Sequence, residues 1–241
     1  MKFFFLIGFA LMLASCGAVK DYKYYKQGQA LNLSKKGLED IPDYVFKDTS
    51  LRLLKLYGNS IDSIPDVIGQ LVNLEKLYIG KNDLIFISDS IRKLPKLRFL
   101  SAQYNKLEYL PDAITACTEL EELILNQNRI LVLPDSIGRL KKLENLQLNF
   151  NRLDSLPESI GDCEDLSYLS LNSNFLTRLP ESMGKLKRLR DFKLVNAGPL
   201  LDVPESFCDL RNLEVLEVDP TVALPPCLLV LQTTRLRILV H

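Results

Sequence analysis

The sequence predicts a solenoid of the α/β class. It would carry a parallel β-sheet on a concave face and short helical or 3-10 segments on a convex face. Three observations carry this. Asn59, Asn82, Asn105, Asn128, Asn151 and Asn174 recur every 23 residues. Pro65, Pro111, Pro134, Pro157 and Pro180 each follow one of those asparagines by six residues, with Ser88 in the one gap. Between them, aliphatic residues alternate as a half-buried strand requires. A fixed period of this length marks a stack of coils, each burying its apolar side against its neighbours.

One unit runs from Leu120 to the residue before Leu143, and its residues are numbered here 1 to 23. Leu120, Leu123, Leu125, Asn128, Ile130, Leu133, Ile137 and Leu140 point inward. Positions 3 to 7 alternate and form a strand with one face buried. Strands of successive coils then lie about 4.8 Å apart. The chain next bends through irregular backbone whose buried N–H and C=O groups need partners. The Asn at position 9 offers two donors and an acceptor for them. Proline at position 15 fixes φ and opens the return segment. The acid after it (Asp66, Asp112, Asp135, Glu158, Glu181) suits the first turn of a short helix or 3-10 piece. Gly69, Gly138, Gly161 and Gly184 relax that turn.

The ends of the array are irregular, as capping coils are. A partial coil begins at Leu31, with Lys36 where Asn belongs. Ala197 breaks the asparagine series, and Pro204 arrives one residue late, so the coil from Leu189 carries an insertion near Gly198-Pro199. Residues 235–240 read as a closing strand. The count is eight to nine coils.

Two cysteines, Cys117 and Cys163, share position 21, a core slot, and lie two coils apart, beyond disulfide reach. Cys208 and Cys227 fall in adjacent terminal coils on the same side. A disulfide there would staple the cap; otherwise they are two unpaired thiols.

The unit Leu-Pro-x-x-Ile-Gly-x-Leu resembles the leucine-rich-repeat family, in particular the Ras-suppressor and scribble-type subclass and its bacterial homologues. The resemblance covers about residues 31–230. It implies a scaffold rather than an enzyme, and an asparagine ladder bonding neighbouring turns. Charge and composition agree. The lone histidine, His241, is the last residue, which leaves no Ser/His or Cys/His pair in a cleft and no histidine metal site. Thirty basic and thirty acidic side chains give no support to nucleic-acid binding. No cofactor or metal is expected, and the chain is expected to be a monomer.

The N-terminus reads as an address. Lys2 precedes an apolar run, Phe3 to Leu13, too short for a bilayer, which takes about 20 residues. Leu13-Ala14-Ser15-Cys16 follows and resembles the lipobox of bacterial lipoproteins. That likeness implies cleavage after residue 15, acylation of Cys16, and a lipid-anchored protein of the cell envelope, with the outer membrane or cell surface favoured. A plain secretory signal is the alternative. Residues 1–15 are thus expected to be a signal peptide, 16–30 a tether and cap, and 31–241 the repeat domain.

In such a solenoid the outward strand positions 3, 5 and 7, with 8 at the edge, face a ligand. Early coils carry Leu53, Tyr57, Tyr78, Phe99, Tyr104 and Ile124 there, among Lys55 and Lys76. Clustered aromatics on one face mark a protein-binding patch. Middle coils carry Asn126, Asn145, Gln147, Asn149 and Asn172 beside Tyr168, an amide strip suited to a glycan. Both sets could instead be strand packing. The expected function is protein binding through the concave face. The alternatives are a glycan- or nutrient-binding surface lipoprotein, or an intracellular scaffold or small-GTPase-pathway regulator if the lipobox is spurious.

Overall fold

The computed structural model describes residues 29–200, 202–231 and 236–241. The expected signal peptide, Cys16 and the expected tether to Gly28 lie outside the described residues.

Twelve strands follow in chain order: β1 (Ala30–Asn32), β2 (Leu53–Lys55), β3 (Ser63–Ile64), β4 (Lys76–Tyr78), β5 (Phe86–Ile87) and β6 (Phe99–Ser101), then β7 (Glu122–Ile124), β8 (Asn145–Gln147), β9 (Tyr168–Ser170), β10 (Asp191–Lys193), β11 (Val215–Val218) and β12 (Arg237–Val240). Ten of them form one parallel sheet in the order β1-β2-β4-β6-β7-β8-β9-β10-β11-β12. Nine coils therefore separate ten strands. From β2 to β10 each residue pairs with the one 23 positions on, as Leu54 with Leu77 and Leu146 with Leu169. The insertion near Gly198 shifts the next pairing to Asp191 with Val215. In most coils the strand is shorter than the alternation implies, occupying positions 3 to 5.

Position 8 explains the early end. Lys35, Lys81, Tyr104, Gln127, Phe150, Ser173 and Asn196 all sit at φ between 53° and 57°, and Gly58 at 72°. A left-handed residue turns the chain out of the sheet in eight of the nine coils, a conformation that non-glycine residues adopt at a cost.

The asparagine ladder then takes over. Asn128 donates to the carbonyls of Ala102 and Leu125, both at 3.0 Å, and accepts from the Leu107 N–H at 3.1 Å. Asn59, Asn82, Asn105, Asn151 and Asn174 repeat the pattern. The bend is held because its buried backbone groups find partners one coil away.

Pro65, Pro111, Pro157, Pro180 and the late Pro204 have φ between −57° and −76° and precede five-residue 3-10 turns at Asp66–Gln70, Asp112–Ala116, Glu158–Asp162, Glu181–Lys185 and Glu205–Asp209, whereas the turn after Pro134 is only Ile137–Arg139 and, against expectation, leaves Asp135 outside it. Ser88 fills the gap in the proline series by accepting from the Ser90 N–H at 3.0 Å, a cap in place of a ring. These turns pack tightly. A Cβ on Gly161 would lie 2.1 Å from the Ser182 carbonyl oxygen.

Leucines and isoleucines at the inward positions are almost entirely buried and run as one core through the stack. Cys117 and Cys163 are buried free thiols, each pushed up to about 12 by burial. Cys208 and Cys227 form a disulfide, Cα–Cα 5.7 Å, tying the last 3-10 turn to the terminal helix α2 (Pro226–Leu231). The other short helix, α1 (Asp43–Phe46), closes the first coil.

Candidate binding surface

The concave face is built by the outward side chains of β2, β4, β6 and β7. Tyr78 and Phe99 stack across adjacent strands with ring centroids 4.5 Å apart, and Lys55 Nζ lies 5.5 Å from the centre of the Tyr78 ring. Both contacts are attractive beyond the area they bury. Gly80 lets neighbours close over it, since a Cβ there would come 3.3 Å from the Tyr57 ring and 3.1 Å from Gln103. Tyr57, Gly80, Tyr78 and Phe99 thus make one continuous patch. Leu53 and Ile124 bound it and are half-buried.

The sequence predicts that these aromatics face outward into solvent. In the structure Tyr57, Tyr78 and Phe99 are half-buried, while Tyr104, thrown outward by its left-handed backbone, is 47% exposed. Lys76 and Lys81 are exposed, and no ion pair engages either among the described residues. Arg52 and Arg98, also early and basic, are held in ion pairs with Glu75 and Glu121. The patch therefore combines flat apolar surface with free ammonium groups. It can cover an apolar side chain and pair with a carboxylate.

The amide strip has a different character. Asn126 Oδ1 accepts from the Asn149 N–H at 2.8 Å, Asn149 Oδ1 from the Asn172 N–H at 2.9 Å, and Asn172 Oδ1 from the Val195 N–H at 2.8 Å. Position 7 thus carries a second asparagine ladder, cut into the concave side. Asn126 also donates to Gln147 at 2.9 Å, and Gln147 to Asn145 at 3.2 Å. Three of the five amides spend their oxygens on backbone. Beside them Lys193 Nζ lies 5.9 Å from the Tyr168 ring centre and 2.8 Å from Glu217, whose hydrogen bond raises the lysine pKa. Spacing alone marked these asparagines as a column. It gave no sign that the acceptors were engaged, because that depends on which backbone N–H the sheet leaves unpaired.

Stacked coils with a parallel sheet on one face and 3-10 turns on the other define a repeat solenoid. The chain belongs to the leucine-rich-repeat family. A family model described as a leucine-rich repeat region matches residues 123–222, and a leucine rich repeat model matches 29–84 and 49–107. Proteins of this family are typically non-enzymatic binding scaffolds.

Among solved structures, a leucine-rich-repeat protein of Leptospira interrogans is similar at 30% identity and TM-score 0.80, over 92% of this chain and 56% of that one. The ectodomain of the Arabidopsis thaliana membrane receptor kinase GASSHO1/SCHENGEN3, in complex with CASPARIAN STRIP INTEGRITY FACTOR 2, is 33% identical, with TM-score 0.67, over 77% of this chain and 23% of that one. An internalin of Listeria monocytogenes shares the fold at 18% identity, TM-score 0.75, over 90% of this chain and 62% of that one. The chain spans less than two thirds of the length of each. No curated protein sequence matches it.

Proposed function

We propose that this chain is a non-enzymatic binding protein of a bacterial cell envelope, anchored by lipid on Cys16 and engaging a protein partner through its early concave coils. The observation that carries the binding reading is the stacked Tyr78–Phe99 pair under Lys55, with Lys76 and Lys81 beside it in no ion pair among the described residues. Lys76 is free to meet carboxylates, and the ring pair offers a flat anchor. The Arabidopsis receptor ectodomain, solved with its factor bound, supports a ligand-binding role for this fold. Leu13-Ala14-Ser15-Cys16 supports the anchor. Two acyl chains hold a protein on a membrane far better than one.

The glycan reading is weaker, because Asn126, Asn149 and Asn172 have committed their acceptors to backbone. An intracellular scaffold requires the lipobox to be unused.

The test of binding is capture of a partner from the native cell surface by the intact protein and by Tyr78→Glu, Lys76→Glu and the control Val72→Glu, an exposed residue just after the 3-10 turn Asp66–Gln70 on the convex side. The first two lose the partner and the third keeps it. Equal capture by all three rules out this face. Inhibition of the lipoprotein signal peptidase checks the anchor. Accumulation of a longer precursor is the expected result, and an unchanged chain overturns the lipid anchor, leaving a plain secretory signal or the intracellular reading.

A further inference from the structure

The flank that follows the strands carries a second candidate surface, separate from the concave face. Position 13 there displays Phe86, Tyr109 and Val132, and position 12 adds Ile85 and Leu131, all exposed. Phe86 lies in β5, which pairs with β3, and Tyr109 bridges Val132, so the strip is a short, interrupted second sheet with one face bare. Tyr109 and Val132 are 53% and 54% exposed, more than Tyr104 at 47%, the most exposed of the early concave aromatics. Contiguous apolar surface on a folded chain marks a contact.

A groove runs beside this strip, and its far wall is acidic. Phe86 and Tyr109 line one stretch of it together with Asp66, Asp89 and Asp112, and Val132 lines a second stretch, in the following coils, with Asp135, Glu158 and Glu181. These six acids occupy position 16 of consecutive coils and are all exposed. None of them is in an ion pair among the described residues. Elsewhere the chain neutralises its columns from coil to coil, as with Arg98 and Glu121, Lys142 and Glu119, or Arg188 and Asp165. Helix starts favour an acid, which accounts for one carboxylate per coil but not for the lack of ion pairs along a row in which six carboxylates face two arginines. Arg92 and Arg178 are the basic residues lining these two stretches.

We infer that this flank groove docks an extended, lysine- or arginine-rich segment of a protein partner. Its apolar side chains would lie on Phe86, Tyr109 and Val132, and its basic ones would meet the carboxylate row. A cationic segment is the occupant that relieves stacked like charges while covering the strip. The inference does not depend on the concave-face reading.

The test uses a fluorescein-labelled peptide of alternating lysine and leucine, about twelve residues long, titrated with the intact protein and followed by anisotropy. An oligolysine of equal length serves as the charge-only control. Asp89→Asn with Asp112→Asn, and separately Tyr109→Ser with Val132→Ser, each weaken binding about tenfold. Tyr78→Glu leaves it unchanged, and oligolysine binds about tenfold more weakly. All four groove substitutions are at exposed side chains, so folding is retained and is checked by circular dichroism. Equal binding of oligolysine, indifference to either groove pair, or loss of binding in Tyr78→Glu overturns the inference. So does concentration-dependent self-association in sedimentation that the groove substitutions abolish, since the occupant would then be a second copy.

Discussion

A single ladder residue shows how much of the fold rests on one amide. Asn128 is 8% exposed and satisfies two carbonyls of its own and the preceding coil as well as the Leu107 N–H. Removing it strands buried polar groups, each worth about 1–3 kcal/mol. Asn128→Ala is expected to lower unfolding free energy by ~3 kcal/mol in urea titration. Asn149→Ala, half-buried and serving mainly the Asn172 N–H, is expected to cost ~1 kcal/mol. Cys117 and Cys163 give a pH-dependent prediction. Burial raises both thiols to about 12 from an ordinary value of 9.0. The unfolded chain therefore loses these protons first. Their contribution to stability is intact below pH 9 and is lost as pH rises from 9 towards 12. In the folded protein both resist alkylation at pH 8, and iodoacetamide labelling that appears only with unfolding confirms it.

At the scale of one coil, parts of the design were legible in the sequence and parts were not. The asparagine period, the proline that opens each 3-10 turn and the inward leucines are one-residue signals, so they could be read directly. The left-handed position 8 could not, because Tyr104 and Phe150 carry no glycine signature. Neither could the burial of Tyr78 and Phe99, which depends on a ring one coil away. The exposed strip of Phe86, Tyr109 and Val132 was open to the same column-wise reading, applied to positions 12 and 13 as well as to the strand. Two element-scale predictions follow from the backbone. Phe150, 56% exposed, has little burial to lose, so Phe150→Asn is expected to raise stability by about 0.5–1 kcal/mol through an easier left-handed turn. Gly161→Ala forces a Cβ against the Ser182 carbonyl and is expected to destabilise by at least ~2 kcal/mol. Thermal melts of the two variants should move in opposite directions.

Across the whole molecule, contacts are nearest-neighbour, so stability is set coil by coil and the ends matter most. The disulfide closes a separation of 19 residues at the C-terminal end. A loop of that size restricts the unfolded chain by roughly 3 kcal/mol. Reduction is expected to speed hydrogen exchange in β11 and α2 while β6 to β9 stay protected; uniform acceleration would mean the stack melts as one unit. Sequence left this bond open, because its geometry depends on how the irregular last coils pack. It also left open which face is occupied. The structure separates a concave patch of stacked rings and free ammonium groups from a flank groove of opposite charge.

The most direct measurement of the central claim is photo-crosslinking in the native cell. Benzoylphenylalanine would replace Tyr104 on the concave rim or Val72 on the convex side. The concave-face account predicts a discrete protein adduct from position 104, lost when Tyr78→Glu is added, and none from position 72. Adducts from position 72 alone, or from 104 without dependence on Tyr78, would contradict it.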